Sequence, residues 1–220
     1  MQSSTFTESR LGRFTASEIH KLMKSGKKKD EYFADGAMTY IYEKIAEAIT
    51  GQPKAQVKSM ATEWGLQMET DAIKWFEIIT GKKVQHFGAN EYKFYEFNNN
   101  SGCSPDGLVI GENANVQAKC PFNSANHINY LTIRDNAAEW LKKNEYEYYA
   151  QCQFEMMCCK TDKCYFISYD DRTVEPEHRM KIIELLPDAE FVKELTERIK
   201  KATEIVRNDL EYLQTLSVNY

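Results

Sequence analysis

No apolar run in this chain of 220 residues approaches the roughly 20 that a membrane-spanning helix needs. The opening Met-Gln-Ser-Ser-Thr is not a signal peptide, so a cytoplasmic protein is expected. The six cysteines (Cys103, Cys120, Cys152, Cys158, Cys159, Cys164) contain no Cys-x-x-Cys pair, and adjacent Cys158 and Cys159 could not both face one partner. That pattern argues against a disulfide framework and predicts buried, reduced thiols. The four histidines (His20, His86, His127, His178) are scattered, without the paired spacing of a structural zinc site. A net charge of −5 speaks against a protein that coats nucleic acid non-specifically. It leaves room for a locally basic cleft on an acidic body, and Lys24-Ser25-Gly26-Lys27-Lys28-Lys29 is one such patch.

With 42% hydrophobic and 28% charged residues, the composition suits one globular domain with a full-sized core. No internal repeat, low-complexity segment or linker divides it. Thr15-Ala16-Ser17-Glu18 has the spacing of a capping box and predicts a helix through Met23. Ile41, Ile45, Ala48 and Ile49 recur at helical steps before Gly51 and Pro53. A longer helix is expected from near Ser59 to Thr80, with Trp64, Met68, Ala72, Trp75, Phe76 and Ile79 on one side and Gly81 as its stop. Strands are expected at Val84–Phe87, Tyr92–Phe97, Leu108–Ile110 and Val116–Lys119, the last two forming a hairpin. Helices at 126–142 and 146–159 precede strands Cys164–Tyr169 and Met180–Leu185. A final helix from Asp188 to about Leu213 carries Phe191, Leu195, Ile199, Ala202, Val206 and Leu210. The expected architecture is a mixed α+β sheet flanked by helices. It divides into a helical part at 1–81, sheet and helices at 82–186, and a C-terminal helix at 187–214.

Gly102-Cys103-Ser104-Pro105-Asp106-Gly107-Leu108, followed by Gln117-Ala118-Lys119-Cys120-Pro121, is the most informative stretch. Alternation along a strand puts Gln117 and Lys119 on one face. The Ser-Pro-Asp-Gly turn brings Asp106 toward that face. A carboxylate, a further oxygen and an ammonium would then converge, as a metal-dependent phosphodiesterase requires. Singly, Asp106 reads as a turn aspartate and Lys119 as a surface lysine; the combination carries the signal.

Longer blocks extend it. They are Arg10-Leu11-Gly12 with Thr15-Ala16-Ser17-Glu18, then Trp64-Gly65 with Glu69 and Asp71-Ala72, and Cys103 to Leu108. Lys119-Cys120-Pro121-Phe122, Ala150-Gln151-x-Gln153 and Tyr165-Phe166-x-x-Tyr169-Asp170 follow in order. With these blocks the chain resembles the viral recombination exonucleases of the lambda-exonuclease, YqaJ type, within the PD-(D/E)xK nuclease superfamily. The resemblance implies a restriction-endonuclease-like core and Asp106 as bridging metal ligand. Gln117 stands where the family has a second acidic ligand, and the Ala118 carbonyl completes the shell. It implies that Lys119 handles the attacking water and phosphate charge, that Glu69 borders the metal, and that Gln151 lies on the helix closing the site. Arg10, Ser17 and Ser104 match a 5′-phosphate pocket, and Lys27 and Lys28 a DNA-contacting loop. The implied cofactor is Mg²⁺, with Mn²⁺ as substitute. The implied activity is 5′–3′ degradation of one strand of linear double-stranded DNA, by a homotrimer working with a single-strand annealing protein. A phage or prophage gene would place it in the host bacterial cytoplasm.

Gln117 departs from the family pattern, because a neutral amide replaces a carboxylate where Mg²⁺ prefers anionic oxygen. Three explanations stay open: a tolerated variant with Glu69 helping to hold metal, a substitution that traps substrate, or weakened catalysis. Two other functions fit the residues, a DNA-end-binding module without chemistry and a related endonuclease of the same superfamily.

Overall fold

The computed structural model describes residues 8–28, 31–55, 59–88 and 91–216. From Phe14 the order is β1 (Phe14–Thr15), a 3-10 helix (Ala16–Met23), α1 (Asp35–Thr50), α2 (Met60–Thr80), β2 (Val84–His86), β3 (Tyr95–Asn98) and β4 (Ser101–Cys103). Then come β5 (Gly107–Val109), β6 (Ala114–Lys119), α3 (Ser124–Leu131), α4 (Ala137–Asn144) and α5 (Tyr146–Cys159). The chain ends in β7 (Lys163–Tyr169), β8 (Met180–Leu185) and α6 (Ala189–Leu216). Five strands form a mixed sheet in the order β2-β5-β6-β7-β8, and β1-β4-β3 form a small second sheet. Only β6 and β7 pair in parallel within the large sheet, with α3 to α5 lying between them in the chain. The expected mixed sheet flanked by helices is what the chain forms.

Alternation on the central strands divides the core in two. Val116, Ala118, Tyr165, Ile167 and Tyr169 pack with Ala72, Ile73 and Phe76 of α2. Cys164, Phe166, Ile183 and Leu185 turn to the other face, into a larger cluster with the 3-10 helix, α1, α5 and α6. Each strand residue therefore has its face chosen by the two-residue period, and both faces are covered.

Several boundaries differ from the sequence reading, each for a local reason. Thr15 makes no side-chain cap, and the helix after it is 3-10 throughout. Glu18 pairs instead with Lys21, and the Thr15 N–H donates to the Tyr40 hydroxyl. Ser59 does cap α2, accepting from the Thr62 N–H at 3.1 Å, and Gly81 ends it with φ +70°, a left-handed turn suited to glycine. On α2 the expected Ile79 is 49% exposed and Ile73 is buried in its place. The 126–142 helix is two, α3 and α4, because Asn136 adopts φ 49° between them. The strand expected at Tyr92–Phe97 starts only at Tyr95. The helical 1–81 segment includes the short strand β1, and the last helix runs to Leu216. The six cysteines are free, four of them buried.

Candidate active site

Antiparallel pairing of β5 and β6 sets Gly107 opposite Val116 and Leu108 opposite Asn115. One more step in that register places Asp106 across from Gln117. Close approach of β2 holds the turn: the Phe87 N–H donates to the Asp106 carbonyl at 2.8 Å. A Cβ at Gly107 would meet Val84 Cγ1 at 2.5 Å, so this position requires glycine for space. Asp106 Oδ2 accepts from Gln117 Nε2 at 2.7 Å and from the Ala118 N–H at 2.6 Å. Oδ1 receives no protein hydrogen bond among the described residues.

Asn115, Gln117 and Lys119 share the β6 face turned to α5, where Gln151 and Glu155 stand one helical turn apart. Lys119 Nζ donates to Gln151 Oε1 at 3.1 Å and sits over the Tyr148 ring, 4.7 Å from its centroid. Gln151 Nε2 donates to Gln117 Oε1 at 2.8 Å and to Glu155 Oε1 at 2.9 Å. The Gln117 amide thus turns its nitrogen, not its oxygen, toward Asp106. A weaker contact of 3.3 Å runs from the same nitrogen to the Ala118 carbonyl.

Glu69, from α2, brings a second carboxylate. Its Oε1 lies 3.1 Å from His86 Nε2 on β2, and this hydrogen bond raises the His86 pKa against the opposing effect of burial. Burial first, and the Glu69 charge second, push the Asp106 carboxyl up to about 7. Lys119 and the Ala118 N–H counter this without cancelling it. Glu155 is fully buried, and burial together with the Asp106 charge holds its pKa well above the usual carboxylate range.

Parallel pairing of β1 and β4, Thr15 opposite Gly102, carries Ser17 and Ser104 out at the same end. Arg10 donates to both hydroxyls, at 3.4 Å to Ser104 and 3.5 Å to Ser17. All of Arg10, Ser17, Glu69, Asp106, Lys119 and Gln151 border one cleft of about 840 Å³. Lys27 and Lys28 do not border it; both are exposed, and Lys28 pairs with Glu31 at 2.8 Å. Lys29, the last lysine of that patch, lies outside the described residues.

Pro121, Phe122 and Tyr148 also border the cleft, and residues that sequence reasoning passed over or left without a role lie around it. Arg172 pairs with Asp170, donates to the Phe122 and Pro121 carbonyls at 2.9 Å each, and lies 4.5 Å from the Trp64 ring centre. His86, Asn115, Glu155 and Tyr148 were equally silent. Their only signal was position: Asn115 at two residues before Gln117, and Glu155 at four after Gln151. Among the described residues, no group of three or more His, Cys, Asp or Glu side chains is arranged to hold a metal ion. The oxygens of Asp106, Glu69 and Ala118 nevertheless suit a hard divalent cation in kind.

The chain is similar to a solved alkaline exonuclease from Laribacter hongkongensis, at 25% identity and TM-score 0.80 over 99% of each chain. Against the same enzyme in complex with dAMP the figures are 26% and 0.79, again over 99% of each. A phage-related exonuclease from Haemophilus somnus 129PT shares the fold alone, at 17% identity and TM-score 0.72 over 91% of this chain and 96% of that one. No curated protein matches the chain. The model of the YqaJ-like viral recombinase domain matches residues 5–163. Family and fold together support a nuclease role, and the chain belongs to the YqaJ-like viral recombinase domain family.

Proposed function

We propose that this protein is a Mg²⁺-dependent 5′–3′ exonuclease that degrades one strand of linear double-stranded DNA from a 5′-phosphorylated end, leaving 3′ overhangs for recombination. The observation that carries the reading is the cleft itself, where Asp106, Glu69 and Lys119 meet the Arg10–Ser17–Ser104 group. Asp106, Glu69 and the Ala118 carbonyl would hold Mg²⁺, or Mn²⁺ in its place. Gln117 would join them only by presenting its oxygen. When bound, the cation supplies a hydroxide nucleophile near neutral pH and relief of charge on the phosphate.

The chain's own groups do the rest. Lys119, held by Gln151 and the Tyr148 face, places an ammonium where phosphate charge develops. Arg10 presents a planar fork, with two hydroxyls beside it, suited to a terminal phosphate. dAMP, the ligand of the Laribacter enzyme, is a nucleoside monophosphate, the size of one excised nucleotide. The proposed enzyme is a homotrimer working with a single-strand annealing partner. Among the described residues no helix is long and apolar enough to cross a membrane, which agrees with action on DNA in the cytoplasm.

Timed digestion of linear duplex with each end differently labelled tests this, with and without 5′-phosphate and Mg²⁺. Loss of the 5′ label first, only with Mg²⁺ and faster with a 5′-phosphate, is expected. Asp106→Ala should remove the activity and leave the fold intact; persistent digestion by that variant would refute the site.

One observation favours a second reading. Two N–H donors already cap Asp106 Oδ2, as a DNA-end-binding module without chemistry would allow. Tight binding of linear ends with no nucleotide released in Mg²⁺ or Mn²⁺ would select it.

A further inference from the structure

Glu155 is a carboxylic side chain with no exposure to solvent, buried on α5 behind the cleft rather than in it. Such a group persists in a core only when its oxygens are satisfied. Oε1 accepts from Gln151 Nε2 at 2.9 Å and Oε2 from Asn115 Nδ2 at 3.2 Å. Asn115 is itself fully buried and pinned on its other side by the Thr161 hydroxyl, which donates to Oδ1 at 2.8 Å. An amide side chain has two ends that differ only in donor and acceptor, so its neighbours decide which way it lies. Gln151 has its nitrogen fixed by two acceptors, Gln117 and Glu155, and its oxygen fixed by the Lys119 ammonium. Its orientation in turn settles that of Gln117, which offers oxygen to Gln151 and nitrogen to Asp106.

We infer that Glu155 is a positioning residue: by anchoring Gln151 it orients a relay of amides that holds the Lys119 ammonium and turns the Gln117 N–H toward Asp106. The inference rests on the cleft's being the active site only for its effect on rate. The relay itself is a property of the folded chain. Glu155 does not border the cleft, and its hydrogen-bonded path to Gln117 and Lys119 runs through Gln151.

Replacing Glu155 with Met removes both acceptors while keeping bulk, whereas Glu155→Gln keeps an oxygen for Gln151. In the second variant the new amide nitrogen faces Asn115, which can turn over because the Thr161 hydroxyl accepts as readily as it donates. The first measurement is the NMR signal of the side-chain amide groups. Glu155→Met should displace the Nε2 signals of both Gln151 and Gln117 and leave Asn126, a cleft residue outside the relay, in place. Glu155→Gln should leave the Gln117 signal near its wild-type position. If Glu155→Met does not fold, Glu155→Asp, whose oxygens stop one methylene short, should displace the same two signals. An unmoved Gln117 signal in the folded Met or Asp variant overturns the proposal.

The second measurement is nucleotide release at saturating linear duplex, where Glu155→Met should lose about tenfold in kcat with little change in KM. Glu155→Gln should recover most of it. In a Gln151→Ala background the same Met substitution should add less than about twofold, since neighbours acting in series are not additive. A full additional tenfold loss there would mean Glu155 merely supports the fold, and would overturn the proposal. A wild-type protein that releases no nucleotide would refute the nuclease reading instead, and the NMR signals would still decide the role of Glu155.

Discussion

Asp106 lies half-buried in the cleft wall with another carboxylate near, and its pKa rises from 3.8 to about 7 in consequence. A raised carboxyl weakens the fold at neutral pH. Below about pH 4 folded and unfolded chains both hold the proton, and the effect vanishes. As pH climbs toward about 7 the unfolded chain releases it first, so stability falls, and above that the penalty is complete. Asp106→Asn can keep an oxygen for the Gln117 and Ala118 donors without the charge. In EDTA it should therefore raise Tm by roughly 5 °C at pH 8 and by almost nothing at pH 4. An equal gain at both pH values would show that charge is not the cause. Gln117→Glu tests the neighbouring position. It removes the N–H facing Asp106 and supplies a third carboxylate, so Mg²⁺ affinity by calorimetry and the cleavage rate should both rise. Flat or lowered values would end the assignment of Gln117 to the ligand position.

At the scale of elements, the cleft is built where two connections meet. The β4–β5 link carries Ser104 and Asp106, the end of β6 carries Lys119, and the segment after β6 forms the rim with Pro121 and Phe122. Arg172 ties that rim to the turn after β7. Burial opposes ionisation of Asp170, yet the Arg172 hydrogen bonds hold its pKa down at about 2. Asp170 is almost wholly buried, so removing the guanidinium leaves a carboxylate held only by the backbone N–H of residue 172 and the Ser124 side chain. Arg172→Met should cost about 1 kcal/mol in urea unfolding at pH 7, because the half-exposed guanidinium is screened by solvent. Much of this cost should disappear as pH falls below about 4 and the carboxyl can take a proton. KM for DNA should rise several-fold with the freed rim. Unchanged stability would mean that the pair contributes nothing net.

The whole molecule places one cleft against both the sheet and the N-terminal segment, so a strand seated in it would meet Arg10 and Asp106 together. If the Arg10 group receives a strand's terminal phosphate, DNA without ends has nothing to offer it. Covalently closed circular DNA should stay intact over the time in which the same plasmid, once linearised, is consumed. Nicking of the closed circle at a comparable rate would favour an endonuclease of the same superfamily. The acidic body (net charge −5) adds a check, because binding should then depend on the cleft's few cations and show a shallow salt slope.

Much of this was legible before any coordinates. The period of two in β6 and β7 and the three-to-four spacing of α6 are local properties, written in the identities of neighbours. The Asp106…Gln117-x-Lys119 spacing is local as well, since a hairpin joins its parts. Arg10, Ser17, Glu69 and Gln151 were reached only through family resemblance, because no local rule links residues so far apart. The partnerships that tertiary structure alone decided are those between distant segments: His86 with Glu69, Arg172 with Trp64 and the rim, and Glu155 with Asn115 and Gln151. Thr15 shows the same limit from the other side. Its capping spacing was correct as a pattern, but its N–H found the Tyr40 hydroxyl and the segment wound as a 3-10 helix. Sequence by itself determined which way the residues of β6 and β7 face and which turn carries the aspartate. Which way the Gln117 amide lies was decided by packing, because an amide's orientation belongs to its neighbours in space.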